Sequence, residues 1–463
     1  MLDRCHSIGK VSELVMMLNN CKEVIDNDFC IGCGVCSISN PKSTPVFNDE
    51  GLLVPSEPPT KVLKIETAQI CPFSDKSNNE TTLAEEFFVD ATFKHEVLGH
   101  YRQVKVAKVK DDNARINSSS GGILTSVNKQ LLKMKIVDAV IAVGACEGDA
   151  LFKYKTCDKP EELNQFAKSK YYPVEIGSVI SEILDDGKTY AVVALPCVTK
   201  ALRNLQMADP KLKLKFPFIS TVICGHLKSK HYAEFLGWQA GIKPVDLTAI
   251  DFRVKNPNAS ANKYSIQVTS KSDSKLIDHN TVKFNDWGLG FFKPKACDYC
   301  DDVFGELGDI AVGDAWLPAY TKDYLGNSLL LIRSKLAESI FEEYKKDYIF
   351  NDIDVGSAIE SQGGGLRHKR EGIVERLDTL DKQGQPYPNK RRHLHVKKAM
   401  NKIEIQKVKL RMVLRKESEN AFKKAIKSGQ INDFYKAVGP LVKVYYSITV
   451  PLWKRTIKKL MRR

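Results

Sequence analysis

A chain of 463 residues, 43% of them apolar, has room for two or three domains and the composition of a globular, soluble protein. No stretch approaches the roughly 20 uncharged apolar residues of a membrane-spanning helix, and the opening Met1-Leu-Asp-Arg-Cys-His-Ser lacks the order of a secretory signal, so the expected setting is cytoplasmic. The net charge of +14 belongs to one end: residues 390–463 hold 22 Lys and Arg against 4 Asp and Glu, leaving the other 389 residues slightly acidic. Twelve cysteines in such a chain favour metal or redox use over disulfides.

Beyond an N-terminal extension (1–23), the run Cys30-Ile-Gly-Cys33-Gly-Val-Cys36 places three thiols at Cys-x-x-Cys intervals, and Gly32 and Gly34 let the backbone wrap one face of a cubane. Cys71, directly before Pro72, closes the far corner. This is the ligand pattern of a bacterial-type 4Fe–4S ferredoxin site, and residues 24–75 are expected to form a small ferredoxin-like domain. A second cluster in that segment would need a cysteine where Asn40 precedes Pro41, so one cluster is expected. Zinc fits less well, because structural zinc sites pair two such elements. Cys5, Cys21, Cys146 and Cys157 fall outside any ligand pattern.

The polar stretch from Ser74 to Thr82 reads as part of a linker (76–96). From 97 the pattern alternates: strands are predicted at 104–109, 137–143, 190–195 and 217–223, with helices at 123–134, 176–184 and 198–205. Residues 247–282 are strand-rich, 309–312 and 328–332 read as buried strands, and 337–344 as a charged helix. The fold class expected is α/β (α+β): a ferredoxin-like domain, a mixed α/β body over 97–345 split near 188, an extension (346–389) and a basic helical tail (390–463).

Within that body, Ser118-Ser119-Ser120-Gly121-Gly122 precedes the helix predicted at 123. Small residues there let backbone N–H groups and hydroxyls close on an anion, helped by the helix dipole, and Arg115 could neutralise a pyrophosphate. A serine-capped helix after a glycine turn is the plainer alternative. Both the dinucleotide fingerprint and the P-loop are missing from the sequence. Cys197 and Cys224 follow predicted strands, where α/β sheets gather their sites, and Cys297-Asp-Tyr-Cys300 could clamp a metal centre from a loop. Together the four suffice for a second cluster; alternatively only the Cys-x-x-Cys pair matters, for zinc or a redox disulfide.

The tail shows a basic helix at 397–416 with an apolar stripe at Ile403, Val408 and Val413, and an end (441–463) mixing apolar residues and Trp453 with seven Lys and Arg. Such a segment suits an anionic membrane surface, with Trp453 and Leu460 inserted, or a protein partner. Nucleic acid is disfavoured, since no binding motif is recognisable.

Taken in order, Ser119-Ser-Gly-Gly122, Ser169-Lys-Tyr171, Leu195-Pro-Cys197, Ile223-Cys-Gly225, Asp251-Phe-Arg253 with Lys255, Cys297-Asp-Tyr-Cys300 and Gly313-Asp-Ala-Trp316 resemble the coenzyme F420 hydrogenase/dehydrogenase beta-subunit family over residues 24–345. The resemblance implies an oxidoreductase holding FAD and two 4Fe–4S clusters, passing electrons between a ferredoxin-like or F420-like carrier and an organic acceptor. It implies that Ser119, Ser120, Gly121 and Gly122 hold the FAD phosphates, that Ser169, Lys170 and Tyr171 line the flavin, and that Arg253 and Lys255 bind flavin or an anionic substrate. Asp314 and Trp316 would close the pocket, and Cys197, Cys224, Cys297 and Cys300 would ligate a flavin-proximal cluster. Lys168 stands where relatives tend to have glycine. His226 and Lys170 are weak candidates for a proton donor. Similar proteins with basic tails are associated with surface-polysaccharide assembly. Two other classes remain open at this stage: a non-catalytic electron-transfer subunit, which needs no flavin, and a zinc-bound scaffold.

Overall fold

The computed structural model describes residues 17–391 and 400–449. Eight strands build its central sheet: β1 (Gln103–Val109), β2 (Ala139–Ala145), β3 (Phe152–Cys157), β4 (Tyr190–Ala194), β5 (Phe218–Val222), β6 (Ile310–Asp314), β7 (Ser328–Ile332) and β8 (Tyr348–Asp352). Their order is β8-β1-β7-β6-β5-β4-β2-β3. The middle four, β6, β5, β4 and β2, run parallel, with Val192 opposite both Ile219 and Ile141. The outer pairs are antiparallel. Helical crossovers cover both faces of the parallel strands, which explains why β2 and β4 read as almost unbroken apolar runs.

Helix α1 (Ile123–Lys133) follows β1, α2 (Pro196–Ala208) follows β4 with Pro196 in its first turn, and α3 (Lys230–Gln239) follows β5. A separate three-stranded antiparallel sheet (Leu247–Val254, Ser265–Ser270, Ser274–Ile277) occupies the strand-rich stretch. Sequence periodicity missed β3 and β8, both half-exposed edge strands.

Three expectations need correction. The cysteine segment has no core of its own: Phe29, Ile31, Val35 and Ile70 pack with Ile180, Val192, Ile219 and Ile373 in one cluster. About 50 residues are too few to bury an independent core, so the segment borrows the body's. The supposed linker is structured. Asn79 caps helix Glu80–Phe87, a hairpin (Phe93–His95 with Gly99–Tyr101) follows, and the Asn78 N–H donates to Asn204 Oδ1 at 3.0 Å.

The basic tail, third, is largely part of the body. Helices α4 (Lys402–Ser428) and α5 (Ile431–Thr449) bury Leu414, Phe422, Phe434, Val438 and Val442 against α3 and the three-stranded sheet. Ile403 and Val413 are exposed and only Val408 of the expected stripe is buried, because the packed face is set by Leu414, Ala421, Phe422 and Ala425. Ser229 and His231 both bond Glu419, each at 2.8 Å, and Arg415 pairs with Asp298 at 3.0 Å. Trp453 and Leu460, expected at a membrane, lie outside the described residues. No helix among the described residues is long and apolar enough to cross a membrane.

Candidate functional site

Cys30, Cys33, Cys36 and Cys71 surround one small hollow, lined also by Val24, Phe29 and Phe73. Gly32 (φ 65°) and Gly34 (φ 74°) turn the loop through the left-handed region. A Cβ on Gly32 would stand 2.4 Å from the Leu53 carbonyl oxygen, so the close approach admits glycine alone. Facing a hollow leaves each thiol part-exposed, yet the apolar surroundings push Cys30 up to about 11 and Cys33 up to about 12. Cys21, buried on helix Cys21–Asp26, joins this group within hydrogen-bonding reach of Cys36, Cys71 and Thr67. Spacing offered no signal for it, since it comes from a different element.

Cys197, Cys224, Cys297 and Cys300 form a second group. Cys197 sits in the first turn of α2, Cys224 two residues past β5, and Cys297 on the short helix Lys295–Asp298 with Cys300 just beyond. Burial and the charges of Cys300, Cys224 and Cys297 raise the Cys197 thiol well above its usual value. Burial likewise pushes Cys224 up to about 11 and Cys297 up to about 12. Burial opposes the charge on Lys369, but the neighbouring Cys300, Cys224, Asp302 and Cys297 raise its pKa above the usual lysine value. Its Nζ donates to the Cys224 carbonyl at 3.2 Å and to the Asp302 carbonyl. Lys369 lies beyond the segments that carried the resemblance and was not anticipated.

The two groups adjoin. Cys33 is among the charges that raise Cys197, and both raise Tyr154, which also borders the main cavity. Among the described residues, no three His, Cys, Asp or Glu side chains are gathered for a single metal ion. A cubane needs a wider nest, with four sulfurs around its corners.

Cys224 connects the second group to a cavity of about 970 Å³, at the top of the range for small-molecule sites. Ser119, Ser120 and Gly122 line one end, where Gly122 (φ 82°) opens α1 and aims its N-terminus inward. Behind them, a Cβ on Gly121 would meet the Ala107 carbonyl oxygen at 2.5 Å. Ser119 Oγ accepts from the Ser169 N–H at 2.7 Å, joining this loop to the one that carries Lys170 and Tyr171. The Lys170 ammonium donates to the Phe166 and Ala167 carbonyls, and burial lowers its pKa to about 7. Tyr171 packs at 4.9 Å from Trp287, while Arg253 grips Asp314 through two bonds of 2.7 and 2.9 Å with Trp316 beside it. Lys168 adopts φ 71°, a left-handed conformation that glycine enters more readily, and pairs with Asp251 at 2.5 Å.

Two expected anion-binding residues are not in the cavity lining. Arg115 turns to Asp323 (2.5 Å), Asp112 (2.8 Å) and the Gly326 carbonyl (2.9 Å), so its charge is already neutralised. Lys255 braces the Ser119–Gly122 loop from behind, donating to the Ser120 carbonyl at 2.9 Å and to the Leu325 carbonyl. His226 does line the cavity, stacked at 4.5 Å on Trp287; burial and the nearby cations Lys228, Lys293 and Arg411 keep its ring neutral.

This architecture and the family comparisons agree. Residues 104–181 match the family model for the coenzyme F420 hydrogenase/dehydrogenase beta subunit N-terminal region, and residues 187–354 match that for its C terminus. The chain belongs to the coenzyme F420 hydrogenase/dehydrogenase beta-subunit family. Among curated relatives, a coenzyme F420-dependent sulfite reductase of Methanocaldococcus jannaschii is 25% identical over 69% of this chain and 46% of its own. The coenzyme F420 hydrogenase subunit beta of Methanococcus voltae is 23% identical over 63% of this chain and 99% of its own. The F420-dependent formate dehydrogenase subunit beta of M. jannaschii is 26% identical over 44% and 51%. The chain therefore spans about half the length of two of these relatives and nearly all of the third. A chain of the F420-reducing NiFe hydrogenase complex from Methanosarcina barkeri superposes with a TM-score of 0.49 at 16% identity, over 64% of this chain and 99% of that one, too distant to support a functional argument.

Proposed function

We propose that the protein is an iron–sulfur flavoprotein oxidoreductase, with FAD in the large cavity and one 4Fe–4S cluster in each cysteine group. The observation that carries this reading is the series of sites: the cavity reaches the second cysteine group at Cys224, and Cys197 of that group packs against the same hydrophobic cluster as Cys33 of the first. The cavity suits FAD on its own chemistry, with a helix N-terminus and small-residue loop for a pyrophosphate and aromatic walls at Tyr171, Trp287 and Trp316 for a flat ring. FAD would supply the exchange between hydride pairs and single electrons, which iron–sulfur centres carry one at a time. The protein's residues bind, orient and shield. Ser119, Ser120, Gly121 and Gly122 hold the phosphates, Ser169 and Tyr171 border the ring, and the Arg253–Asp314 pair with Trp316 closes the pocket. Electrons would pass between a ferredoxin-like or F420-like carrier and an organic acceptor.

Anaerobically purified full-length protein should contain FAD, released by acid, and about eight irons per chain, four for each cubane. A colourless, zinc-loaded protein would overturn the reading. A non-catalytic electron-transfer subunit is the second reading, supported by the hydrogenase and formate dehydrogenase relatives being named as subunits; iron without flavin would select it. No described residue bears on a surface-polysaccharide role.

Lys170 is the proposed proton source. With its pKa lowered to about 7 by burial, the ammonium is protonated below that pH and neutral above it. If Nζ gives up a proton during turnover, kcat should fall as pH rises through about 7. Lys170→Met should abolish that limb and lower kcat at pH 6 by at least about a hundredfold, the usual minimum for a general acid. An unchanged pH profile in the variant would remove Lys170 from this role.

A further inference from the structure

The far end of the cavity is built by residues beyond the family-matched segments. Met400, Glu404, Lys407, Val408 and Arg411 of α4 and its approach line it, with Tyr445 and Thr449 of α5. These helices are fixed against the body by Leu414, Phe422 and Phe434, so the wall they form is rigid. Its charge is unbalanced. Arg411 and Lys407 make no hydrogen bond or ion pair among the described residues, and Arg411 Nε is sealed from water without a partner. His226, also buried, lines the same space with its Nε2 likewise unpartnered. Leaving a guanidinium nitrogen and a ring nitrogen sealed from water without partners is costly, more so for the charged group.

The acids nearby are engaged or peripheral. Glu404 caps its own helix by accepting from the Asn401 N–H at 2.8 Å, Asp286 accepts from the Gly288 N–H at 2.7 Å, and Glu371 is exposed at the rim. Deeper in, Asp298 is shared among Lys293, Arg376 and Arg415. Lys228 donates to the Phe291 carbonyl at 2.6 Å and lies 4.5 Å from the Trp287 ring, and burial lowers its pKa well below the usual lysine value, so its amine is committed to those partners. Lys369 is the cation committed to the cysteine group, whereas Arg411 is directed at the cavity.

We infer that this end of the cavity binds an organic anion, carboxylate or phosphate, anchored by the Arg411 guanidinium and the Lys407 ammonium, with His226 Nε2 as a hydrogen-bonding partner. The inference rests on the proposed flavin site at the opposite end, next to which the anion would be held as a redox substrate. The C-terminal helices thereby act as a specificity cap: the family-matched body supplies the cofactor end and the added helices select the substrate.

Calorimetric titration of the full-length, anaerobically purified protein tests this, with benzoate, phenyl phosphate and benzamide as probes. At least one anion should bind with one-to-one stoichiometry while the uncharged benzamide does not; tighter binding of benzoate identifies a carboxylate site, and of phenyl phosphate a phosphate site. Arg411→Gln should weaken anion binding at least about tenfold, as expected for loss of a charge-assisted contact. Lys407→Gln, a part-exposed position, provides a second variant that should weaken it by about threefold through the same charge. Benzamide binding as tightly as both anions, or anion affinity unchanged in both variants, would overturn the inference. Flavin assays on the same samples separate the two claims. Absence of flavin from wild type and variants overturns the redox reading, whereas normal flavin with unchanged anion affinity overturns only the anion site.

Discussion

Replacing Cys224 with serine is expected to lower the iron content from about eight atoms per chain to about four while leaving FAD bound. Among the described residues, Cys224 is the one cysteine of the second group that lines the cavity, so it is where the proposed electron route and the ring would meet. A serine oxygen is a shorter, harder ligand than a thiolate, and a cubane missing one sulfur corner is expected to be lost or labile. The Ser119–Gly122 loop, the proposed phosphate site, is not touched by the substitution and keeps its contacts, including the Ser169 bond to Ser119. Flavin reduction by a reduced ferredoxin-type donor should then slow by at least about a hundredfold, because the donor-side cluster no longer has a relay to the cavity. Iron analysis, acid-released flavin and stopped-flow bleaching of the flavin band measure the three quantities. A variant with full iron and unaltered flavin reduction would show that Cys224 is an ordinary thiol.

The sequence was most readable where function depends on local spacing. Three cysteines within seven residues, with glycines between them, define one loop whatever the rest of the chain does, and the structure places that loop around a hollow with Cys71. The parallel strands were equally plain, because strands buried on both faces must be apolar throughout. What could not be read depended on distant partners. Arg115 looked free to meet a phosphate, but its acid, Asp323, lies 208 residues further on. Cys21 and Lys369 reach the cysteine groups from separate helices, with no spacing to mark them. The tail misled through composition: its excess of cations concealed an apolar face, and several of those cations find body acids, as in Arg415 with Asp298 and Lys409 with Glu375. The slight acidity of the first 389 residues was the available clue that the two parts are complementary.

Phe422→Ala is expected to destabilise the protein by about 3–5 kcal/mol, the usual cost of truncating a fully buried phenylalanine. The side chain is 0% exposed and sits among Phe292 (5.3 Å between ring centres), His231 (5.2 Å), Trp238 (5.9 Å), Phe434 (6.0 Å) and Phe235 (6.2 Å). Four of those rings come from the body, three of them on α3, and one from α5, so a cavity at this point would loosen α4 from both neighbours at once. An amphipathic helix in water depends mainly on its packed face, and loss of this anchor should release the wall that carries Met400, Lys407 and Arg411. Urea unfolding monitored by circular dichroism would measure the loss, and limited proteolysis near α4 would show whether the helix is released first. A change below about 1 kcal/mol would mean that α4 is held elsewhere. The same contacts bear on what the tail does: an apolar face engaged with Phe235, Phe292 and Trp238 is unavailable to a bilayer, so the described part of the tail acts on the cavity from within the fold.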